Sequence, residues 1–282
     1  MRIMELLTFF CSGLIIKSMF DYHIHTHYSM DSEASLARQL DAAVRMGLSE
    51  LCLTDHVDFD EMDAGVPLYP PADLKTLRLE LETLKKSYPT LMIKRGAEIG
   101  LCDTACAEAA YEHIRDLELD YVIGSLHVLE GENVYYPSYF EGKTRDERYI
   151  AYMEGLNRAI RTNAYFCAMG HYDFIAKNAP FSMRAMSLSL CPELFDEIFT
   201  YLIHNGKTLE VNTSAWKDGA SWGLDILKRF RALGGDFVTV GSDAHRPVQV
   251  GNRLKEALAL VREAGIPYVA TYERMKPVMH RI

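Results

Sequence analysis

The chain has no cluster of lysines and arginines. Its 282 residues carry 30 basic against 39 acidic side chains, a formal net charge of −9. A groove for phosphate backbones needs clustered Lys and Arg, so nucleic acid is not expected as a partner. The acidic balance suits metal cations and a small cationic substrate without selecting either. The apolar run Leu6 to Ile16 is too short to cross a bilayer. It also lacks the small-x-small site of a signal peptide. Residues 1–18 are therefore read as an extension ahead of a functional domain at 19–282, with no membrane association and a cytoplasmic location expected. The cysteines (Cys11, Cys52, Cys102, Cys106, Cys167, Cys191) lack zinc-ribbon spacing. Cys102 and Cys106 could share a helix face, but all six are read as small buried residues in a reducing cytosol. There is no repeat, no low-complexity tract, no obvious interdomain linker, and no Rossmann glycine fingerprint after the first strand.

What is present is alternation. Apolar runs at Phe20–Ile24, Glu50–Leu53, Leu91–Arg95, Tyr121–Ile123, Tyr165–Ala168, Thr208–Val211 and Phe237–Val240 read as strands. Between them lie helical patterns: Ser32 capping a helix to Met46 with Leu36, Leu40, Ala43 and Val44 on one face, and Pro71 opening another. Further helices are expected over Thr104–Leu117, Asp146–Arg161, Leu194–His204, Leu224–Leu233 and Asn252–Glu263. Tyr268–Thr271 is an eighth or edge strand. Such alternation implies a parallel sheet with right-handed crossovers, and about half of the residues are hydrophobic, enough for one large α/β barrel. In barrels of this kind the chemistry sits where strands run into helices. The excursion Glu130–Arg145, with Tyr135, Tyr136, Pro137, Tyr139 and Phe140, either covers the site mouth or packs as a surface loop.

Acid and imidazole groups gather at those strand ends. His23 and His25 stand two apart in Asp21-Tyr-His-Ile-His-Thr-His27, and Asp243 and His245 form a second such pair. Alternate residues of a strand share a face, so each pair can grip one ion. His56, Glu98, His127 and His171 follow other strands, and the two oxygens of Glu98 can bridge two ions. Imidazole with carboxylate suits Zn²⁺, Fe²⁺ or Mn²⁺ better than Mg²⁺. His27 keeps the parity of His25 but falls where the chain leaves the strand, and is left out. Asp31 has no assignment from spacing. Asp55 either orients an imidazole from behind or makes an ordinary buried hydrogen bond.

The segments Asp21-Tyr-His-Ile-His-Thr-His-Tyr-Ser-Met-Asp-Ser32, Thr54-Asp-His-Val-Asp-Phe59, Gly96-Ala-Glu-Ile-Gly100, Gly124-Ser-Leu-His127, Gly170-His-Tyr-Asp173 and Gly241-Ser-Asp-Ala-His245 resemble the motifs of the PHP superfamily. Together with Glu210-Val-Asn-Thr-Ser214 they are most similar to the histidinol-phosphate phosphatase branch. The resemblance implies a distorted (β/α)7-type barrel with three divalent metal ions at the C-terminal ends of the strands. His23, His25, Glu98 and Asp243 would hold one ion; Glu98, His127 and His171 a second; Asp31, His56 and His245 a third. It implies hydrolysis of L-histidinol phosphate to L-histidinol and phosphate in histidine biosynthesis.

In that reading two ions bridged by Glu98 lower the pKa of a shared water. Lys177 or Arg246 neutralises the phosphate, and Asp243 or His245 shuttles the proton. Arg246 has a nearly equal reading as an exposed loop residue. Trp216 and Asn212 are candidate substrate contacts. Two departures bear on the substrate: Lys177 stands where the family often has arginine, and Ser214–Trp222 differs from the best-matched members. The alternatives are a phosphoesterase with another small substrate, a nuclease-type protein, and a regulatory module without activity. The sequence leaves the oligomeric state open.

Overall fold

In the computed structural model the described residues are 19–282 except 61, 64–65, 103 and 217–222. The expected extension at 1–18 and residues 217–222 of the departing segment lie outside them.

The chain alternates β1 (Phe20–Ile24), α1 (Leu36–Met46), β2 (Glu50–Leu53), α2 (Leu74–Leu84), β3 (Met92–Gly100), α3 (Thr104–Ile114), β4 (Tyr121–Ser125), α4 (Arg145–Thr162), β5 (Ala168–Met169), α5 (Pro192–His204), β6 (Thr208–Asn212), α6 (Leu224–Ala232), β7 (Phe237–Gly241) and α7 (Leu254–Glu263). Strands β1 to β7 pair in parallel, in chain order. The ring closes where Ile24 bridges Ala244, with the His25 amide donating to the Ala244 carbonyl at 3.0 Å. Closure holds only at the C-terminal ends. At the other end β7 pairs instead with β8 (Tyr268–Glu273), which turns back into β9 (Lys276–Arg281). One pair of strands thus wedges the barrel open at its base, and the expected distorted seven-stranded barrel is the fold found.

Local departures have physical causes. β3 runs to Gly100 rather than stopping at Arg95, so Glu98 lies inside a strand. A Cβ at Gly96 would stand 2.6 Å from the Tyr121 carbonyl, so glycine here permits close strand approach and does not end the strand. The fifth strand is shorter and later than expected, Ala168–Met169. The cap of α1 is Ser35, not Ser32; the Ser32 hydroxyl donates instead to the His245 carbonyl at 2.9 Å. Helix α1 buries Leu36, Leu40 and Ala43 but leaves Val44 exposed. Asp73 caps α2, its carboxylate accepting from the Thr76 amide at 3.0 Å.

The cysteine reading needs correction at one pair. Cys102, just past β3, is disulfide-bonded to Cys106 in the first turn of α3, with Cα atoms 5.8 Å apart. Four residues across a helix start bring two Cβ atoms into bridging range. Cys52, Cys167 and Cys191 are buried free thiols, as expected. Among the described residues no helix is long and apolar enough to cross a membrane.

Candidate metal centre

Glu98 sits at the middle of the barrel mouth, fully buried. Its Oε2 lies 3.1 Å from Nε2 of His23, 3.4 Å from Nε2 of His25 and 3.3 Å from Nδ1 of His56. Its Oε1 lies 3.0 Å from Nε2 of His171 and 3.4 Å from Nε2 of His127. Five imidazoles from four separate strand ends, two of them from β1, therefore surround one carboxylate. Ser125 adds a hydroxyl to Oε1 at 2.6 Å.

Asp243 closes the other side. Its Oδ1 faces His23, His25 and His245 at 3.6, 3.3 and 3.4 Å. Its Oδ2 accepts from the Lys177 ammonium and, at 2.9 Å, from the Ser214 hydroxyl. The Asp243 backbone has φ of +54°, a region that aspartate tolerates better than most residues. The preceding Ser242 is fastened by buried Asp21, which accepts its amide at 2.9 Å and its hydroxyl at 2.5 Å. Asp31 reaches the cluster from its loop, 2.9 Å from Nε2 of His245 and 3.7 Å from Nε2 of His56. The structure thus brings together all nine residues of the expected ligand set.

The outward ring nitrogens are held from behind. His23 Nδ1 lies 2.7 Å from Glu210, whose other oxygen accepts from Asn212 at 3.0 Å and from the His171 amide at 3.2 Å. His245 Nδ1 faces the Asp243 carbonyl at 3.0 Å. A ring nitrogen committed to an oxygen acceptor carries the proton, which leaves the other nitrogen its lone pair. The room for this is tight: a Cβ at Gly241 would meet both Glu210 Oε1 and His23 Cβ at 2.4 Å.

Asp58 and Glu210 were not singled out as site residues from the sequence. Asp58 Oδ2 lies 3.1 Å from Nδ1 of His56 and 3.4 Å from Nδ1 of His127. The signal was available, since Asp58 stands two residues after His56 and Glu210 two before Asn212. Among the other candidates, Lys177 enters the site, and its ammonium stands 5.0 Å from the Phe174 ring. Asn212 braces Glu210 and Ser214. Trp216 is packed among the buried apolar residues. Arg246 is exposed at the head of the turn Pro247–Gln249. His27, left out above, turns toward Glu80 at 3.7 Å. The excursion after β4 divides: Tyr139 and Phe140 are buried, whereas Tyr135 is exposed and its ring lies 5.9 Å from Phe174, which itself is 4.8 Å from His127.

The electrostatics are those of a cation cage. Burial and the neighbouring His245 and His56 push the His25 pKa down to about 3, so that ring is neutral. Burial also opposes charge on His127, but Asp58 and Glu98 outweigh it and raise its pKa to about 10. Asp243 is held well below the usual carboxylate range; burial acts the other way and is overcome by Lys177 and His23. Several inward atoms, His23 Nε2, His25 Nε2 and Glu98 Oε2, are buried without a hydrogen-bond partner. Such atoms are costly unless something else binds them. Three-ligand groupings with mutual separations within 4.8 Å include His23, His25 and Asp243; His23, Glu98 and His171; and His25, His56 and His245.

Comparison with known proteins agrees with this geometry. The family model of the PHP domain matches residues 21–214. Over 261 residues the chain is 30% identical to the histidinol-phosphatase of Lactococcus lactis, covering 91% of this chain and 95% of that protein. It is 26% identical to a probable histidinol-phosphatase of Clostridium acetobutylicum, covering 91% and 98%. A crystal structure of the Lactococcus lactis histidinol phosphate phosphatase, complexed with zinc, L-histidinol and phosphate, matches with a TM-score of 0.85 at 28% identity, covering 93% of this chain and 99% of that one. By its motifs, its barrel and these matches, the chain belongs to the PHP domain family.

Proposed function

We infer that this chain is a metal-dependent phosphomonoesterase that hydrolyses L-histidinol phosphate to L-histidinol and phosphate, a step of histidine biosynthesis. The observation that carries the reading is the buried Glu98 carboxylate ringed by five imidazoles. Its support is the likeness to a phosphatase whose crystal structure contains zinc, L-histidinol and phosphate.

The donor set fits divalent ions, because buried imidazole and carboxylate atoms point inward without partners and are the donors that Zn²⁺, Fe²⁺ and Mn²⁺ take. His23, His25, Glu98 and Asp243 would hold one ion, Glu98, His127 and His171 a second, and Asp31, His56 and His245 a third. Bound there, the ions supply Lewis acidity to the phosphoryl oxygens and lower the pKa of a water toward neutrality.

The remaining work falls to side chains. Lys177 sets an ammonium beside Asp243, adding positive charge to a site that must hold a phosphate dianion. The proton for the leaving oxygen is assigned to Asp243, whose Oδ2 stands beside the Lys177 ammonium and the Ser214 hydroxyl, because both ring nitrogens of His245 are taken. Phe174 and Tyr135 offer aromatic faces to the imidazole end of the substrate. The expected partner is this small molecule and not nucleic acid, and the expected compartment is the cytoplasm.

The test is phosphate release under defined metals from L-histidinol phosphate, a panel of other phosphomonoesters and a single-stranded DNA oligomer. Preferential release from L-histidinol phosphate is expected. Turnover confined to the panel would remove the named substrate, and cleavage of the oligomer alone would remove the phosphatase reading.

A further inference from the structure

Ser29 lies buried in the loop between β1 and α1, and its hydroxyl oxygen has three polar neighbours. The His56 amide is at 3.1 Å, His25 Nδ1 at 3.0 Å and Asp55 Oδ1 at 2.7 Å. The amide can only donate. Asp55 Oδ1 already accepts the Thr26 amide at 2.6 Å, so it is an acceptor whatever the charge on Asp55. A hydroxyl has one proton and two lone pairs. Were that proton turned to His25, Ser29 Oγ and Asp55 Oδ1 would face each other at 2.7 Å with nothing between them. The proton therefore goes to Asp55, and the Ser29 oxygen accepts from both the His56 amide and a proton on His25 Nδ1.

We propose that Ser29, oriented by Asp55, is a positioning residue that fixes His25 in its Nδ1-protonated form and seats the backbone of His56 with the same oxygen. His25 Nε2 then presents a lone pair between Glu98 Oε2 at 3.4 Å and Asp243 Oδ1 at 3.3 Å, where it has no hydrogen-bond partner. One hydroxyl thereby ties together a ligand of the first ion and a ligand of the third. His23 achieves the same tautomer by a different device, the Glu210 carboxylate at 2.7 Å. Asp55 acts on the imidazole, but only through Ser29. The inference rests on the metal-binding reading above.

The experiment compares zinc-loaded wild type with Ser29→Ala and Asp55→Asn, each titrated with a competing chelator while retained zinc is read by elemental analysis. Ser29→Ala should weaken zinc binding by about 10- to 100-fold, the range for loss of an orienting partner. Asp55→Asn keeps an acceptor oxygen for Ser29 and should stay within a few fold of wild type. Equal zinc retention in Ser29→Ala and wild type overturns the proposal, as does an Asp55→Asn loss as large as that of Ser29→Ala. Nitrogen-15 spectra of the zinc-loaded wild type give an answer independent of how the variants fold: a proton on His25 Nδ1 supports the assignment, and its absence overturns it. A wild type that binds no zinc would sink the metal reading and this inference together. A zinc-binding wild type beside an unaffected Ser29→Ala would sink this inference alone.

Discussion

At the base of the barrel the Tyr22 hydroxyl donates to Glu50, and the Tyr121 hydroxyl pairs with Thr239 at 3.0 Å. Tyr22 meets Tyr121 edge to face and Tyr121 meets Tyr272 at a tilt, with centroids 5.2 and 4.8 Å apart. One to three residues further along β1, His23 and His25 point ring nitrogens into the mouth and meet no hydrogen-bond partner there. Both ends bury polar atoms in the same strands. At the base the Tyr22 and Tyr121 hydroxyls meet their needs within the chain, which stabilises the fold. At the mouth the imidazole and carboxylate atoms are mutually crowded, in groups that could hold a cation. At the base the Tyr272 hydroxyl is alone in lacking a partner among these three rings, whereas at the mouth several imidazole and carboxylate atoms lack partners together, and that convergence marks the site.

The largest effect should come from the centre of the mouth. Glu98→Gln removes the one carboxylate shared by five rings, and turnover should fall by about 10³-fold or more with loss of bound metal; phosphate release and elemental analysis check both. Full turnover in that variant would break the comparison at its root. Chelation should next abolish turnover reversibly and lower the melting temperature, because an ion at a thousand times its Kd stabilises the native state by about 4 kcal/mol. Calorimetry with and without added zinc reads this. Lys177→Met should cost about 10²-fold in turnover, the scale of one lost electrostatic donor, while zinc content stays unchanged.

Changes at the base should act on stability alone. Tyr22→Phe removes the donor to Glu50 and should cost about 1–3 kcal/mol with turnover preserved. Burial raises the Glu50 pKa, and the Tyr22 hydroxyl only partly offsets it. A raised folded-state pKa gives stability that is present at acid pH and lost as pH rises through it. Losing Tyr22 raises that pKa further, so the deficit should be larger at about pH 8 than at about pH 5, as thermal melts at the two values would show. Tyr121→Phe, which leaves only a threonine hydroxyl behind, should cost the least, about 1 kcal/mol. A base substitution that altered turnover and left stability unchanged would dissolve the division between the two ends.

Much of the frame was legible because its signals are local. The apolar runs of β1, β2, β6 and β7 and the caps and stripes of the helices report their own conformation. The hairpin of β8 and β9 was half hidden for the opposite reason. Its turn uses Arg274 and Met275 at φ of +48° and +63° rather than the usual glycine or asparagine. Strand β9 is mostly exposed, so it carries no apolar run. At the site, the His-x-His and Asp-x-His pairs announced themselves by parity. Asp31 needed the family resemblance, because a loop residue has no parity to read. Asp58 stood two residues past His56 and could have been read, whereas Glu210 meets His23, and Ser29 meets Asp55 and the His56 amide, only across the fold.

The sequence by itself determined the alternation of strands and helices, the donor chemistry at the strand ends, and through both the family. Which atom meets which was decided only by tertiary structure: the single bridge from Ile24 to Ala244 that shuts the mouth, the gathering of five rings on Glu98, and the hydroxyl of Ser29 between two ligands. The physical reason is range. Conformational preference and side-chain parity act over a few residues, whereas a hydrogen bond or a coordination shell is set by ångström-scale distances between segments that closure of the barrel alone brings together.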